Sequence, residues 1–185
     1  MKTQRKLLLI VLIVLISSTS AFARSKKDYF SSPQVGLWFG PITPVNIPVD
    51  AGIGGGLFYR HTMPWKYLKV GFDTSFQYYD SKTVNKLIMV PFYPSAIFLL
   101  PLDLPIKLQL KVGFGGTYAY AEPESEHQVY PLFTTGVEVS FPAGRLVNIG
   151  LRVDYLLAIE AHLNNGVNGH FFNIGLSVYL NLSEF

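Results

Sequence analysis

Four groups of residues in this chain are of types that do chemistry. The glycine clusters "GIGGG" (Gly52 to Gly56) and "GFGG" (Gly113 to Gly116) invite a phosphate-binding reading. A dinucleotide loop needs G-x-G-x-x-G at a strand-to-helix junction, so that a helix N-terminus meets the pyrophosphate. Here the closing positions are Leu57 and Tyr118, and no helical pattern follows either cluster. Glu160, His162 and His170 are metal-ligating types, but they stand in a stretch rich in Gly and Asn that reads as a surface loop. "AEPESEH", residues 121 to 127, carries three carboxylates and reads as a solvated loop able to face cations or a surface protein. The fourth group is nine charges set singly among apolar residues: Arg60, Lys69, Asp73, Lys107, Lys111, Glu138, Arg152, Asp154 and Glu160. What they do depends on the elements that carry them.

Those elements have period two. In "IKLQLKVGFGGTYAY" the set Ile106, Leu108, Leu110, Val112, Phe114, Tyr118 and Tyr120 alternates with Lys107, Gln109, Lys111, Gly113, Gly115, Thr117 and Ala119. Ile174 to Leu182 alternates with Asn173 to Asn181, and the same holds from Val147 to Ile159 and from Leu68 to Tyr78. Such alternation belongs to strands with unlike faces. Eight are expected, at 34–41, 49–61, 66–79, 85–100, 105–120, 129–141, 146–160 and 170–182. Many run longer than the 5 or 6 residues usual in soluble sheets, and about 9 to 11 residues cross a membrane. Short connections (61–66, 101–105, 142–145) are expected to alternate with longer ones (41–48, 80–84, 121–128, 161–169). Trp65 and Tyr67 would lie at one membrane rim, and Tyr78, Tyr79, Tyr118, Tyr120 and Tyr130 near the other.

The start of the chain sets the compartment. Lys2, Arg5 and Lys6 precede an apolar run from Leu7 to Ile16, and Ala21-Phe22-Ala23 follows. This is the form of a secretory signal peptide, with cleavage expected after Ala23. Those 23 residues hold three of the 15 Lys and Arg and none of the 12 Asp and Glu, so residues 24–185 carry balanced charge and no nucleic-acid footprint. With no cysteine, stability must come from packing, sheet closure or a membrane.

The fold class expected is all-β, an eight-stranded antiparallel up-and-down transmembrane barrel over residues 24–185, exported to the outer membrane of a diderm envelope. Apolar residues would face lipid, and the nine charges would pair inside a lumen only just wide enough for its own side chains. The fourth strand, "LIMVPFYPSAIFLLP", is apolar on both faces. Its inward set Met89, Tyr93 and Ile97, with Trp38 and Phe58, would line an apolar wall. The competing reading is a soluble exported sandwich or lipocalin-like carrier with the apolar face buried as its core.

The chain resembles the small eight-stranded outer-membrane barrels of the OmpA, OmpX and OmpW kinds over essentially all of residues 24–185. "LPLDLPIKLQLKVGFGGTYAY" is the stretch most similar to the OmpW type. The resemblance implies a structural or surface-interaction role, or passage of small hydrophobic molecules as in OmpW-type barrels. It implies as partners membrane lipid, the barrel-assembly machinery, and small hydrophobic molecules or a surface ligand at the outer loops. It departs from the pattern at Phe185, which is out of phase with the last alternating set. Small barrels that hydrolyse lipid A esters use an H-x-S-N motif. Here "HLNN" (His162 to Asn165) puts an amide where the nucleophile belongs, so no enzyme, cofactor or metal is expected.

Overall fold

A computed structural model describes residues 32–80, 86–102, 104–122, 126–143, 146–159 and 168–182. The signal segment, the HLNN stretch with Glu160 and His162, and Phe185 lie outside them. Eight strands follow one another: β1 (Gln34–Pro44), β2 (Gly52–Thr62), β3 (Leu68–Tyr79), β4 (Lys86–Leu99), β5 (Lys107–Glu122), β6 (Glu126–Pro142), β7 (Val147–Ala158) and β8 (Gly169–Asn181). Each pairs antiparallel with its neighbours, and β1 pairs with β8 to close the barrel.

The stagger of the closure fixes the interior. Following the pairs from Gln34 through Arg60, Gly71, Ser95, Gly113, Thr134, Leu156 and Phe171 returns to β1 at Pro44, ten residues along. Eight strands with that stagger tilt by about 40° around a backbone radius of roughly 8 Å, which side chains alone can fill.

Period two sorts every strand. Among the described residues, the outward strand positions are apolar or aromatic except for a few Thr, Gly, Pro and His residues and the Lys86–Glu122 pair at one end. Leu37, Phe39, Phe72, Val112, Phe114, Leu151 and Ile174 are exposed on this face, while Arg60, Lys69, Asp73, Arg152 and Asp154 are buried behind it. An apolar exterior around charged contents inverts a soluble core, so the carrier reading is set aside.

Two expectations are corrected. Short and long connections do not alternate strictly. β5 and β6 stay paired out to Ala121↔Glu126, which leaves 123–125 as their connection, whereas the β4–β5 turn spans 100–106. The ladder continues because Tyr118 and Tyr120 pack on His127 (ring centroids 5.9 and 4.7 Å), so much of "AEPESEH" is strand. Likewise Tyr79 and Tyr130 do not belong to the outer aromatic belt. Tyr78 and Tyr79 are consecutive, so the pleat turns one of them inward. Tyr79 is fully buried, donates to Gln77 Oε1 (2.8 Å) and packs on Phe171. Tyr130 is inward by the same parity and half-buried.

The prolines of β4 act where they fall. Pairing with β3 is interrupted at Val90–Pro91, and pairing with β5 at Tyr93–Pro94. Each proline withholds the N–H that one side of the ladder requires.

Candidate functional site

The lumen has two storeys. Around its middle, on the side of the chain termini, sits a plug of charges. Arg152 on β7 donates to Asp154 Oδ2 at 2.6 Å and to Asp73 Oδ1 at 3.2 Å. Lys111 on β5 reaches the same two carboxylates, Asp154 at 2.9 Å and Asp73 at 3.4 Å, and donates to the Tyr93 hydroxyl at 3.2 Å. Ser95 Oγ donates to the other oxygen of Asp73 at 3.1 Å. Two cations and two carboxylates therefore form one closed set.

A second pair crosses the lumen. The Arg60 guanidinium on β2 grips Glu138 on β6 bidentately, at 2.7 and 3.1 Å, although Glu138 stands beside Arg152 in the β6–β7 ladder. The planar fork of Arg suits this geometry, and such charge-assisted pairs are the strong ones. Arg60 also donates to Gln109, and Gln109, Ser140 and Tyr179 are joined by further hydrogen bonds.

Rings cover the guanidinium faces. Arg152 lies 4.9 Å from the Trp38 ring centroid, and Arg60 lies 4.2 Å from Phe58 and 5.3 Å from Tyr179. Cations on ring faces without water are held by the ring quadrupole. The void left among Arg60, Glu138, Lys111, Arg152 and Asp154 is about 10 Å³, room for one water at most.

Below the plug, Lys69 is fully buried and donates to the Ser32 carbonyl (3.2 Å), and Lys107 is half-buried. The described lumen charges are thus Arg60, Lys69, Lys107, Lys111 and Arg152 against Asp73, Glu138 and Asp154.

The upper storey is apolar. Trp38, Phe58, Met89 and Tyr93 pack there with Ile42, Tyr79, Leu132, Leu156 and Phe171. Ile97 does not join them. It packs with Leu99 in a separate cluster, because Asp73, Lys111 and Tyr93 intervene. Sequence reasoning built the apolar wall from β4 with Trp38 and Phe58 and passed over Leu132, Leu156 and Phe171. Their signal was present: each stands in phase with inward polar residues (Thr134, Asp154, Asn173) one step nearer the strand end.

Above this packing a cavity of about 190 Å³ opens at the barrel mouth, lined by Leu87, Met89, Ala119, Ala158 and Phe171. Its polar lining includes Gln128 and Tyr130, whose hydroxyl donates to the side-chain Oε1 of Gln128. The β1–β2 connection lies over it. Ile47 lines the cavity, and Asn46 is latched to β8 by accepting from the His170 N–H (3.0 Å) and donating to the Asn168 carbonyl (2.6 Å).

The glycine clusters sit inside β2 and β5 with no helix after them, so neither forms a phosphate loop. His170, of the metal-ligating trio, shares a hydrogen bond with Tyr155. Among the described residues no three His, Cys, Asp or Glu are grouped to hold a metal ion.

A closed, staggered eight-stranded barrel with an apolar outside and a charge-filled inside defines a transmembrane-type β-barrel. No protein-family model matches the chain, and no curated protein matches it. Solved structures do. Neisserial surface protein A is 14% identical with a TM-score of 0.58, covering 81% of this chain and 96% of its own. The outer membrane protein OprG from Pseudomonas aeruginosa is 8% identical at 0.55, covering 82% and 97%. The outer membrane enzyme PagL is 14% identical at 0.52, covering 80% and 99%. The chain therefore has the fold of the small eight-stranded outer-membrane β-barrels.

Proposed function

We propose that residues 24–185, released from a signal peptide at 1–23, form an integral outer-membrane barrel with a sealed lumen, which holds its outer connections at the cell surface for a structural or interaction role. One observation carries this reading: Arg60, Glu138, Asp73, Lys111, Arg152 and Asp154 pair across the lumen, and the void among Arg60, Glu138, Lys111, Arg152 and Asp154 is about 10 Å³. An ion would have to break these pairs to pass. The test is membrane fractionation with gel mobility before and after boiling, followed by planar-bilayer recording. A heat-modifiable band in the outer-membrane fraction with no steady conductance is expected. Release into the soluble fraction without detergent rejects the membrane reading, and stable ohmic conductance rejects the seal.

The mouth cavity favours a second reading, in which the barrel takes up small apolar molecules from outside. A cavity of about 190 Å³ is in the range of a dry engineered cavity of ~150 Å³ that accepts benzene. Single-ring molecules bearing one hydrogen-bonding group fit, the ring against Met89 and Phe171 and the polar atom toward Gln128. Ala119→Phe fills the cavity from a wall position only 7% exposed. Binding of fluorophenol, followed by fluorine NMR in micelles, is expected to fall at least ~10-fold in this variant, as loss of a buried ring site requires. Equal binding by both proteins would remove the cavity from consideration.

A further inference from the structure

The connection between β1 and β2 is a strap, tied at both ends and apolar beneath. At one end the Val45 N–H donates to the His170 carbonyl at 2.9 Å, one step past the Pro44–Phe171 pair. In a regular antiparallel pair the His170 N–H would return to the Val45 carbonyl. Here it donates instead to the side chain of Asn46 (3.0 Å), whose amide nitrogen donates to the Asn168 carbonyl (2.6 Å). At the other end the Asp50 N–H donates to the Asp80 carbonyl at 2.8 Å, just past β3.

Between these ties the Val49 N–H donates to the Ile47 carbonyl (2.9 Å), a three-residue turn about Pro48. The fixed φ of proline matches the common form of such a turn, so residues 47–49 keep one shape. The turn leaves Pro48 exposed and packs both neighbours, Ile47 and Val49, on the apolar storey.

We propose that this strap is the lid of the mouth cavity, and that Asn46 is the latch whose release admits a ligand. The inference rests on the uptake reading and adds how that site opens. Ile47 lines the cavity with Gly169 and Phe171, and a Cβ at Gly169 would stand 3.0 Å from Ile47 Cδ1. The latch is made of exposed hydrogen bonds, which water replaces when they part, so it opens at small cost. Ile47 by contrast must leave apolar neighbours, and a ring entering beneath it restores that apolar contact whereas a polar solute does not. Lids of this kind are drawn from segments of low local stability.

The chain has no cysteine, so a reversible lock can be added as Ile47→Cys with Gly169→Cys. Fluorine NMR of fluorophenol in micelles measures how fast bound and free ligand exchange, and Ala119→Phe gives the background of partition into detergent. Exchange in Asn46→Ala is expected to be roughly 10-fold faster, the effect of about two net hydrogen bonds. Oxidation of the double-cysteine protein, confirmed by thiol titration, is expected to slow exchange at least ~10-fold, with recovery on reduction. Should the double variant fail to show its heat-modifiable band, Asn46→Ala decides alone. Exchange at the wild-type rate in Asn46→Ala overturns the latch and leaves the cavity standing. Wild-type protein that binds no more fluorophenol than Ala119→Phe overturns the uptake reading beneath it.

Discussion

Arg152→Met is expected to destabilise the barrel by about 3–5 kcal/mol, the cost of leaving buried charge without its partner. The arginine serves two carboxylates at once, Asp154 at 2.6 Å and Asp73 at 3.2 Å. Without it Lys111 alone faces both, inside a wall where Asp73 and Asp154 are 1% and 2% exposed. Methionine keeps much of the volume against Trp38, so the loss reads charge rather than a cavity. The measurement is urea unfolding of the reconstituted protein by gel mobility. With a slope near 2 kcal/mol/M the midpoint falls by roughly 2 M. A shift worth under ~1 kcal/mol would mean that water reaches the carboxylates, and the plug would then be wet.

The Arg60–Glu138 pair supplies the contrast. Arg60→Met strands Glu138 and is expected to cost a similar ~3–5 kcal/mol, whereas Arg60→Met with Glu138→Leu removes both charges and should return close to wild-type stability or exceed it. A double variant as unstable as the single one would show that Gln109 and the rings, rather than the charge pair, hold this level of the lumen.

Gly56→Val is expected to abolish the compact, heat-modifiable form. A Cβ placed at Gly56 meets the Thr74 carbonyl oxygen at 2.2 Å and Ser75 Cα at 2.8 Å. Both are β3 backbone, which cannot swing aside as a side-chain end does. Overfilling a packed interior costs ~1–3 kcal/mol when side chains can adjust, and more when they cannot. Gly55 is the internal control. It points outward, and its nearest contact is the Trp38 carbonyl oxygen at 3.1 Å, with Phe39 beyond at 3.7 Å. Gly55→Ala is expected to keep the shifted band. Equal mobility of the two variants would mean that β2 and β3 can separate without opening the barrel.

Much of this molecule is legible in one dimension because a strand has only two faces. Alternation places Lys111 opposite Leu110 whatever the strand packs on, and so the inward set on β5 and β7 reads directly off the chain. Strand ends are less legible. Whether "AEPESEH" continues the ladder depends on Tyr118 and Tyr120 meeting His127 from the next strand, a contact between residues that propensity treats separately. Adjacent tyrosines show the same limit. Tyr78 and Tyr79 look like one rim feature by type, and only their phase separates the outward ring from the buried one.

By itself the sequence determined the strands, their inner and outer faces, the export signal to be expected, and the kinds of residue that would occupy the inside. Each follows from short-range periodicity and composition, which the chain carries locally. The tertiary structure decided the partners. That Arg60 takes Glu138 across the lumen rather than a ladder neighbour, that Ile97 is cut off from Met89, and that Leu132 and Leu156 pack in one cluster with Phe171 all depend on the ten-residue stagger of the closed sheet. The stagger sets which strand levels face one another, and it is summed over eight pairings, so no single stretch of sequence contains it.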